Sequence, residues 1–222
     1  MNSSKAKIFI VDDHPLVREW LTNLIDQTHD LMVCGEAEDA QTALKAIGAA
    51  DADLAIVDIS LGGGSGIDLI RSLRTVYPKL AIIVLSMHEE RVYAERAIRA
   101  GARGYIMKRE STKKIVEAIR QVLRGEMHLS KELTEIFAEK FVSGPSQGGG
   151  GPMSISQLSD RELEVFQLIG QGYETREIAE SLNVNIKTVQ TYCTRIKDKL
   201  KFSTGAELLR EAVRWNESQS VR

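Results

Sequence analysis

The chain has 222 residues, with 29 Lys and Arg against 31 Asp and Glu, a net charge of −2 and 43% hydrophobic residues. At roughly 100–200 residues per domain this is one large domain or two ordinary ones, and whole-chain disorder, collagen and coiled coil are excluded. No uncharged apolar run approaches the ~20 residues that cross a bilayer, and the first strand-like run is stopped at once by Asp12 and Asp13, so neither a membrane span nor a secretory signal is expected and the cytoplasm is the expected location.

Taken in chain order, short β-rich apolar runs at 8–11, 31–34, 54–57, 81–85 and 104–107 alternate with amphipathic stretches of helical period. This alternation predicts βα units on a doubly wound, five-stranded parallel sheet covered on both faces. The last helix of that series, over 111–124, carries Ile115, Ile119 and Val122 at helical spacing after a Ser/Thr start, so a first domain closes near residue 127. Residues 130–142 place Leu133, Ile136, Phe137 and Phe141 on one face, predicting a helix that leans on one of the domains. The stretch SGPSQGGGGPMSIS at 143–156 can bury almost nothing and predicts a flexible linker. Only helical patterns follow, at 158–172, 175–182, 186–200 and 204–215, which predicts an all-α four-helix module with Gly172 as a C-terminal stop and Asn185 as an N-cap. The expected division is a domain over 1–127, a linker helix and glycine-rich linker over 128–155, and the helical domain over 156–222. The two cysteines, Cys34 and Cys193, are far apart with no clustered Cys or His, which leaves them as buried fillers rather than a disulfide or zinc site.

Parallel α/β sheets bind ligands at the carboxyl ends of their strands. Asp12 and Asp13 end the first strand, Asp58 the third and Ser86 the fourth, while Lys108 follows the fifth. Each taken singly has an ordinary structural use, as a cap, a turn former or a solvated charge. Together they put three carboxylates, a hydroxyl and an ammonium in one crevice. Three close carboxylates repel one another unless a cation sits among them, and Mg²⁺ suits an all-oxygen site of that kind. A carboxylate is also a competent nucleophile toward phosphorus, and the developing charge would be met by the metal, by Lys108 and by the Ser86 hydroxyl.

The spacing of these residues and the stretches FIVDDHPLVR, AIVDISLGGGSGIDL, IIVLSMHEE and GARGYIMKRES resemble the response-regulator receiver domain over residues 6–127. The resemblance implies a flavodoxin-like fold with Asp58 as phosphoacceptor. It also implies Mg²⁺ held by Asp12, Asp13, Asp58 and the backbone carbonyl of Ser60, with Ser86, Tyr105 and Lys108 coupling phosphorylation to a signalling face. In that scheme phosphoryl contact by Ser86 opens a space into which the Tyr105 ring rotates. One departure is visible. Leu61 and Gly62 stand where the family usually has Met-Pro, and with Gly63 and Gly64 they imply a more mobile loop.

In the helical region, five bases (Lys187, Arg195, Lys197, Lys199, Lys201) face one acid, Asp198, between residues 187 and 201. On a helical wheel Val189, Ile196, Leu200, Cys193 and Tyr192 form an inner face, while Lys187, Thr191, Thr194 and Asp198 lie opposite, flanked by Gln190 and Arg195. Lys197 and Lys199 fall at the margins. Short polar side chains and an Arg suit base edges in a major groove, and marginal lysines suit phosphates. The stretch LSDRELEVFQLIGQGYETREIAESLNVNIKTVQTYCTRIKDKL resembles the LuxR-type effector domain of the NarL/FixJ family, the likeness running over 156–216. It implies double-stranded DNA as partner, Glu177 as a structural acid, and Leu208, Leu209 and Ala212 as a dimer contact. The expected protein is therefore a response regulator, not an enzyme, that is phosphorylated by a sensor histidine kinase and dimerises to control transcription. The alternative is an aspartyl-phosphate phosphatase of the haloacid dehalogenase type, which needs a second Asp two residues after the nucleophile, where this chain has Ser60.

Overall fold

The computed structural model describes residues 5–62, 64–88, 90–142 and 155–220. It falls into two compact units, the division coming after Val142. The expected linker at 143–154, Gly63 and the side chain of Phe141 lie outside the described residues.

The first unit carries strands β1 (Ala6–Val11), β2 (Leu31–Ala37), β3 (Leu54–Val57), β4 (Ser60–Leu61), β5 (Gly64–Ser65), β6 (Ala81–Ser86) and β7 (Gly104–Met107). Its helices are α1 (Pro15–Asp26), α2 (Ala40–Ala50), α3 (Gly66–Val76), α4 (Glu90–Ala100), α5 (Thr112–Leu123) and α6 (Lys131–Val142). Five strands form one parallel sheet in the order β2-β1-β3-β6-β7. Alternation along each strand sends Ile8, Ile10, Leu54, Ile56, Ile83 and Leu85 into a core with Leu21 and Ile25 of α1 and Ile115 and Ile119 of α5. Their neighbours Phe9, Val11, Ala55, Val57, Ile82 and Val84 are equally buried, which is why these strands read as continuous apolar runs. Serine and aspartate punctuate the helix starts, with Asp39 accepting from the Gln41 and Thr42 N–H groups and Ser65 from that of Ile67.

Two features were not foreseen. The loop expected to be mobile carries a small antiparallel pair, β4 with β5, on either side of Gly62 and Gly63. It turns back so tightly that a Cβ on Gly66 would lie 1.8 Å from the carbonyl oxygen of Asp58, so glycine is obligatory there. The chain after α5 also extends the sheet edge, because Tyr105 N–H donates to His128 O (3.1 Å) and His128 N–H to Arg103 O (2.9 Å). Helix α6 then packs against α4. Leu133 is buried, Glu132 pairs with Arg91, and the Ser130 N–H donates to the Glu90 carboxylate (3.3 Å).

The second unit comprises a 3₁₀ turn (Ile155–Gln157) followed by α7 (Asp160–Gly170), α8 (Thr175–Ser181), α9 (Ile186–Leu200) and α10 (Gly205–Ser220). Ser159 and Glu162 close a capping box at the start of α7, Asn185 caps α9 through a 2.8 Å bond to the Thr188 N–H, and Gly172 ends the first helix with φ +91°. Leu158, Phe166, Ile178, Val189, Ile196, Leu200, Leu208 and Ala212 make its core.

Candidate functional site

The turn from each strand into the next element decides where the charged residues stand. Asp58 follows β3, with its N–H donating to Val11 O (2.9 Å), so it sits beside the end of β1 and Asp12. The Lys108 N–H donates to Ser86 O (2.8 Å), which brings the lysine onto the same end of the sheet. Its ammonium lies 2.6 Å from Asp12 Oδ2 and 2.7 Å from Asp58 Oδ2, and all three side chains are at least nine-tenths buried.

The two carboxylates thus share one lysine through their Oδ2 atoms. The opposite oxygens are differently placed. Among the described residues, Asp58 Oδ1 and Asp13 Oδ1 are buried with no hydrogen-bond partner, a condition native proteins rarely leave standing without a ligand or function. Burial pushes the Asp58 carboxyl above the usual carboxylate range and Asp12 adds to this, with Lys108 only partly opposing. Burial works against the charge of Lys108 too, but Asp58 and Asp12 outweigh it and hold that ammonium above the usual lysine value. Donor atoms of Asp12, Asp13, Asp58 and His14 all lie within 4.8 Å of one another, an oxygen-rich set that fits a hard divalent cation.

Ser86 is fully buried, and its Oγ accepts from the His88 N–H (3.2 Å). The Ser60 hydroxyl meets His88 Nε2 at 2.7 Å. His88 thereby becomes a third neighbour of the crevice that sequence reasoning passed over, because it lies two residues beyond the strand end in LSMHEE and no periodic pattern marks it. Tyr105, expected as the switch, has its ring buried, with the hydroxyl donating to His88 O (2.9 Å).

In the second unit, Lys187, Gln190, Thr191, Thr194 and Arg195 are all exposed on α9, while Val189 and Ile196 are buried beneath it. The hydroxyls of Thr191 and Thr194 donate back to Lys187 O (2.9 Å) and Gln190 O (3.1 Å), which leaves each an acceptor oxygen and a methyl group to offer. Lys197 is half-buried at the margin. Lys199, expected to meet a phosphate, places its ammonium 2.5 Å from the buried carboxylate of Glu162 and so holds α9 to α7. Burial raises the Glu162 carboxyl, but Lys199 and the Ser159 N–H more than offset this and hold it below the usual range. Glu177 caps its own helix, accepting from the Glu174 N–H at 2.7 Å. The expected dimer contact is also revised, since Leu208 and Ala212 belong to the core of this module and only Leu209, 48% exposed, faces outward.

A strand-end carboxylate crevice on a parallel sheet, followed by a helical module with a polar, basic helix face, defines a phosphorylation-type signalling module joined to a helix-turn-helix. The family described as the response regulator receiver domain matches residues 8–120, and that of bacterial regulatory proteins of the luxR family matches 156–212. The chain belongs to these families and is a DNA-binding response regulator. Among its relatives, the oxygen regulatory protein NreC of Staphylococcus aureus strain JH9 is 34% identical over 212 residues, 94% of this chain and 97% of that protein. RcsB from Salmonella enterica serovar Typhimurium, solved bound to promoter rprA in the presence of the phosphomimetic BeF3-, is 28% identical with a TM-score of 0.58, covering 93% of this chain and 98% of that one. A LuxR-family two-component response regulator from Aurantimonas sp. SI85-9A1 is 34% identical with a TM-score of 0.58, over 63% of this chain and 99% of that one. The receiver match displaces the phosphatase alternative, and Ser60, where that chemistry needs its second Asp, is engaged with His88. Among the described residues no helix is long and apolar enough to cross a membrane.

Proposed function

We propose that Asp58 is the phosphoacceptor of a transcriptional regulator that works in the cytoplasm, receives its phosphoryl group from a sensor histidine kinase and acts on DNA as a homodimer without being an enzyme. The observation that carries this is the divided environment of Asp58, with one oxygen on Lys108 and the other buried and unpartnered beside Asp12 and Asp13. In the transfer, a carboxylate oxygen of Asp58 attacks phosphorus, the bond to the donor's imidazole nitrogen breaks and the imidazole leaves with that electron pair. Lys108 and Ser86 stand where they can meet the phosphoryl oxygens. Asp12, Asp13, Asp58 and the Ser60 carbonyl are the residues that would hold Mg²⁺, which when bound supplies positive charge to those same oxygens. His88 touches Ser86, Ser60 and Tyr105, so a rearrangement at Ser86 reaches Tyr105 and, through its N–H, His128 and the chain leading to α6.

Lys187, Gln190, Thr191, Thr194 and Arg195 are the proposed groove-facing residues, Lys197 the phosphate contact and Leu209 the outward residue of the dimer face. RcsB bound to DNA with a phosphomimetic present supports this pairing of a receiver site with DNA binding. Acetyl phosphate with Mg²⁺ should label the wild type with an acid-stable, hydroxylamine-labile group, and Asp58→Asn should lose that label entirely. Label retained by Asp58→Asn at wild-type yield would place the acceptor elsewhere.

A further inference from the structure

Resting on the reading of the acidic crevice as a metal site, we propose that His14 contributes an imidazole nitrogen to it, so that the site favours nitrogen-accepting first-row divalent ions such as Co²⁺ over Mg²⁺. The geometry sorts the carboxylate oxygens into two sets. The Oδ2 atoms of Asp12 and Asp58 are taken by Lys108, while the second set is Asp13 Oδ1 and Asp58 Oδ1, without a hydrogen-bond partner among the described residues, and Asp12 Oδ1, which accepts from the His14 N–H. His14 stands among that second set. Its Nδ1 lies 2.8 Å from Asp13 Oδ1 and 3.3 Å from Asp12 Oδ1. The longer contact is a hydrogen bond when Nδ1 carries the proton, the shorter is at ion-pair distance, and a ring nitrogen freed of its proton would instead offer its lone pair to a cation. Neighbouring ligands around an octahedral ion at about 2.1 Å lie about 3 Å apart, and the two contacts bracket that spacing.

The backbone keeps the ring there. The His14 N–H donates to Asp12 Oδ1 (3.0 Å), and Pro15 at the first position of α1 confines His14 to extended backbone, observed at φ −88°, ψ 111°. His14 caps α1 without a side-chain hydrogen bond, so its imidazole is not spent on the helix. Phe9–Val11 and α1 thereby deliver two carboxylates and one imidazole in the three residues Asp12, Asp13 and His14. A site of carboxylates and water alone suits Mg²⁺, whereas an added imidazole raises affinity for Co²⁺ and its neighbours and does little for Mg²⁺.

The test is direct titration of the full-length protein with Co²⁺, followed by visible absorption, and with Mg²⁺, followed by calorimetry, together with proton NMR of the Co²⁺ form. His14→Ala and the cap-preserving His14→Asn should each weaken Co²⁺ tenfold or more while changing Mg²⁺ less than twofold. Wild-type protein should show a hyperfine-shifted, solvent-exchangeable imidazole N–H that both variants lack. Equal Co²⁺ affinity in wild type and His14→Asn, or Co²⁺ bound without that resonance, overturns the proposal and leaves the carboxylate site standing. If wild type binds neither ion, the metal reading of the crevice falls and the proposal with it. Asp13→Asn separates the two cases further, since a true carboxylate site loses both ions together.

Discussion

Asp58 in the receiver and Glu162 in the DNA-binding module are both buried carboxylates, each within 2.7 Å of a lysine ammonium, yet their acidities move in opposite directions. Glu162 has its lysine to itself, and the same Oε2 also accepts the Ser159 N–H at 2.7 Å, so two donors meet one charged oxygen. Asp58 shares Lys108 with Asp12 and leaves one oxygen with no partner. The first arrangement belongs to a fold that is finished, and the second to a crevice that is completed by what it binds. Buried charge alone therefore does not mark a functional residue; incomplete compensation does.

The comparison breaks most visibly at Glu162. Replacing it with Ala removes the capping box and the ion pair of Lys199, whose side chain is 40% exposed, and should cost the second unit about 1–2 kcal/mol in thermal or denaturant unfolding of the full chain. A loss under 0.5 kcal/mol would mean that Glu162 is no better satisfied than Asp58. Asp58→Asn should act in the other direction. Because burial raises its folded pKa, ionised Asp58 opposes folding, and this penalty grows as pH climbs from the usual Asp value through the folded one. At pH 7 without divalent ions the Asn variant should then be the more stable in denaturant unfolding. Equal or lower stability would show that Lys108 compensates Asp58 fully.

A third test separates the two lysines of α9. Lys197→Ala should weaken binding to all DNA sequences alike and flatten the dependence of log affinity on log salt by roughly 1. Lys199→Ala should leave that slope unchanged while lowering stability through Glu162. Equal flattening in both would return Lys199 to the phosphate backbone.

The smallest effect concerns Asp30, whose carboxylate takes two 2.7 Å bonds from Arg120 and is brought from 3.8 down to about 2. A depressed acid stabilises above its unfolded value, so this contribution is complete above pH 4 and fades as pH falls toward 2. About a third of each side chain is exposed, which limits it to about 1 kcal/mol or less. Carbon-detected titration of Asp30 should return close to the usual Asp value in Arg120→Ala.

Much of this was legible in the chain itself. Five apolar runs of four to five residues, four of them followed by Asp, Ser or Lys, determined the sheet and where its acids gather, because strand period and strand ends are local properties. Asn185 and Gly172 marked helix ends, and the Val189, Ile196 and Leu200 stripe set which side of α9 faces out, since a 3.6-residue period orients a helix without knowledge of its neighbours. Tertiary structure alone decided the pairings. Lys199 reaches Glu162 across 37 residues, Lys108 bridges Asp12 and Asp58, Tyr105 lies inward on His88, and Leu208 and Ala212 are buried where a dimer surface was expected. A wheel assigns a direction to a Cα–Cβ bond. The terminal atoms of a long side chain are placed by whichever partner the fold brings within reach, and that depends on contacts between segments far apart in the chain.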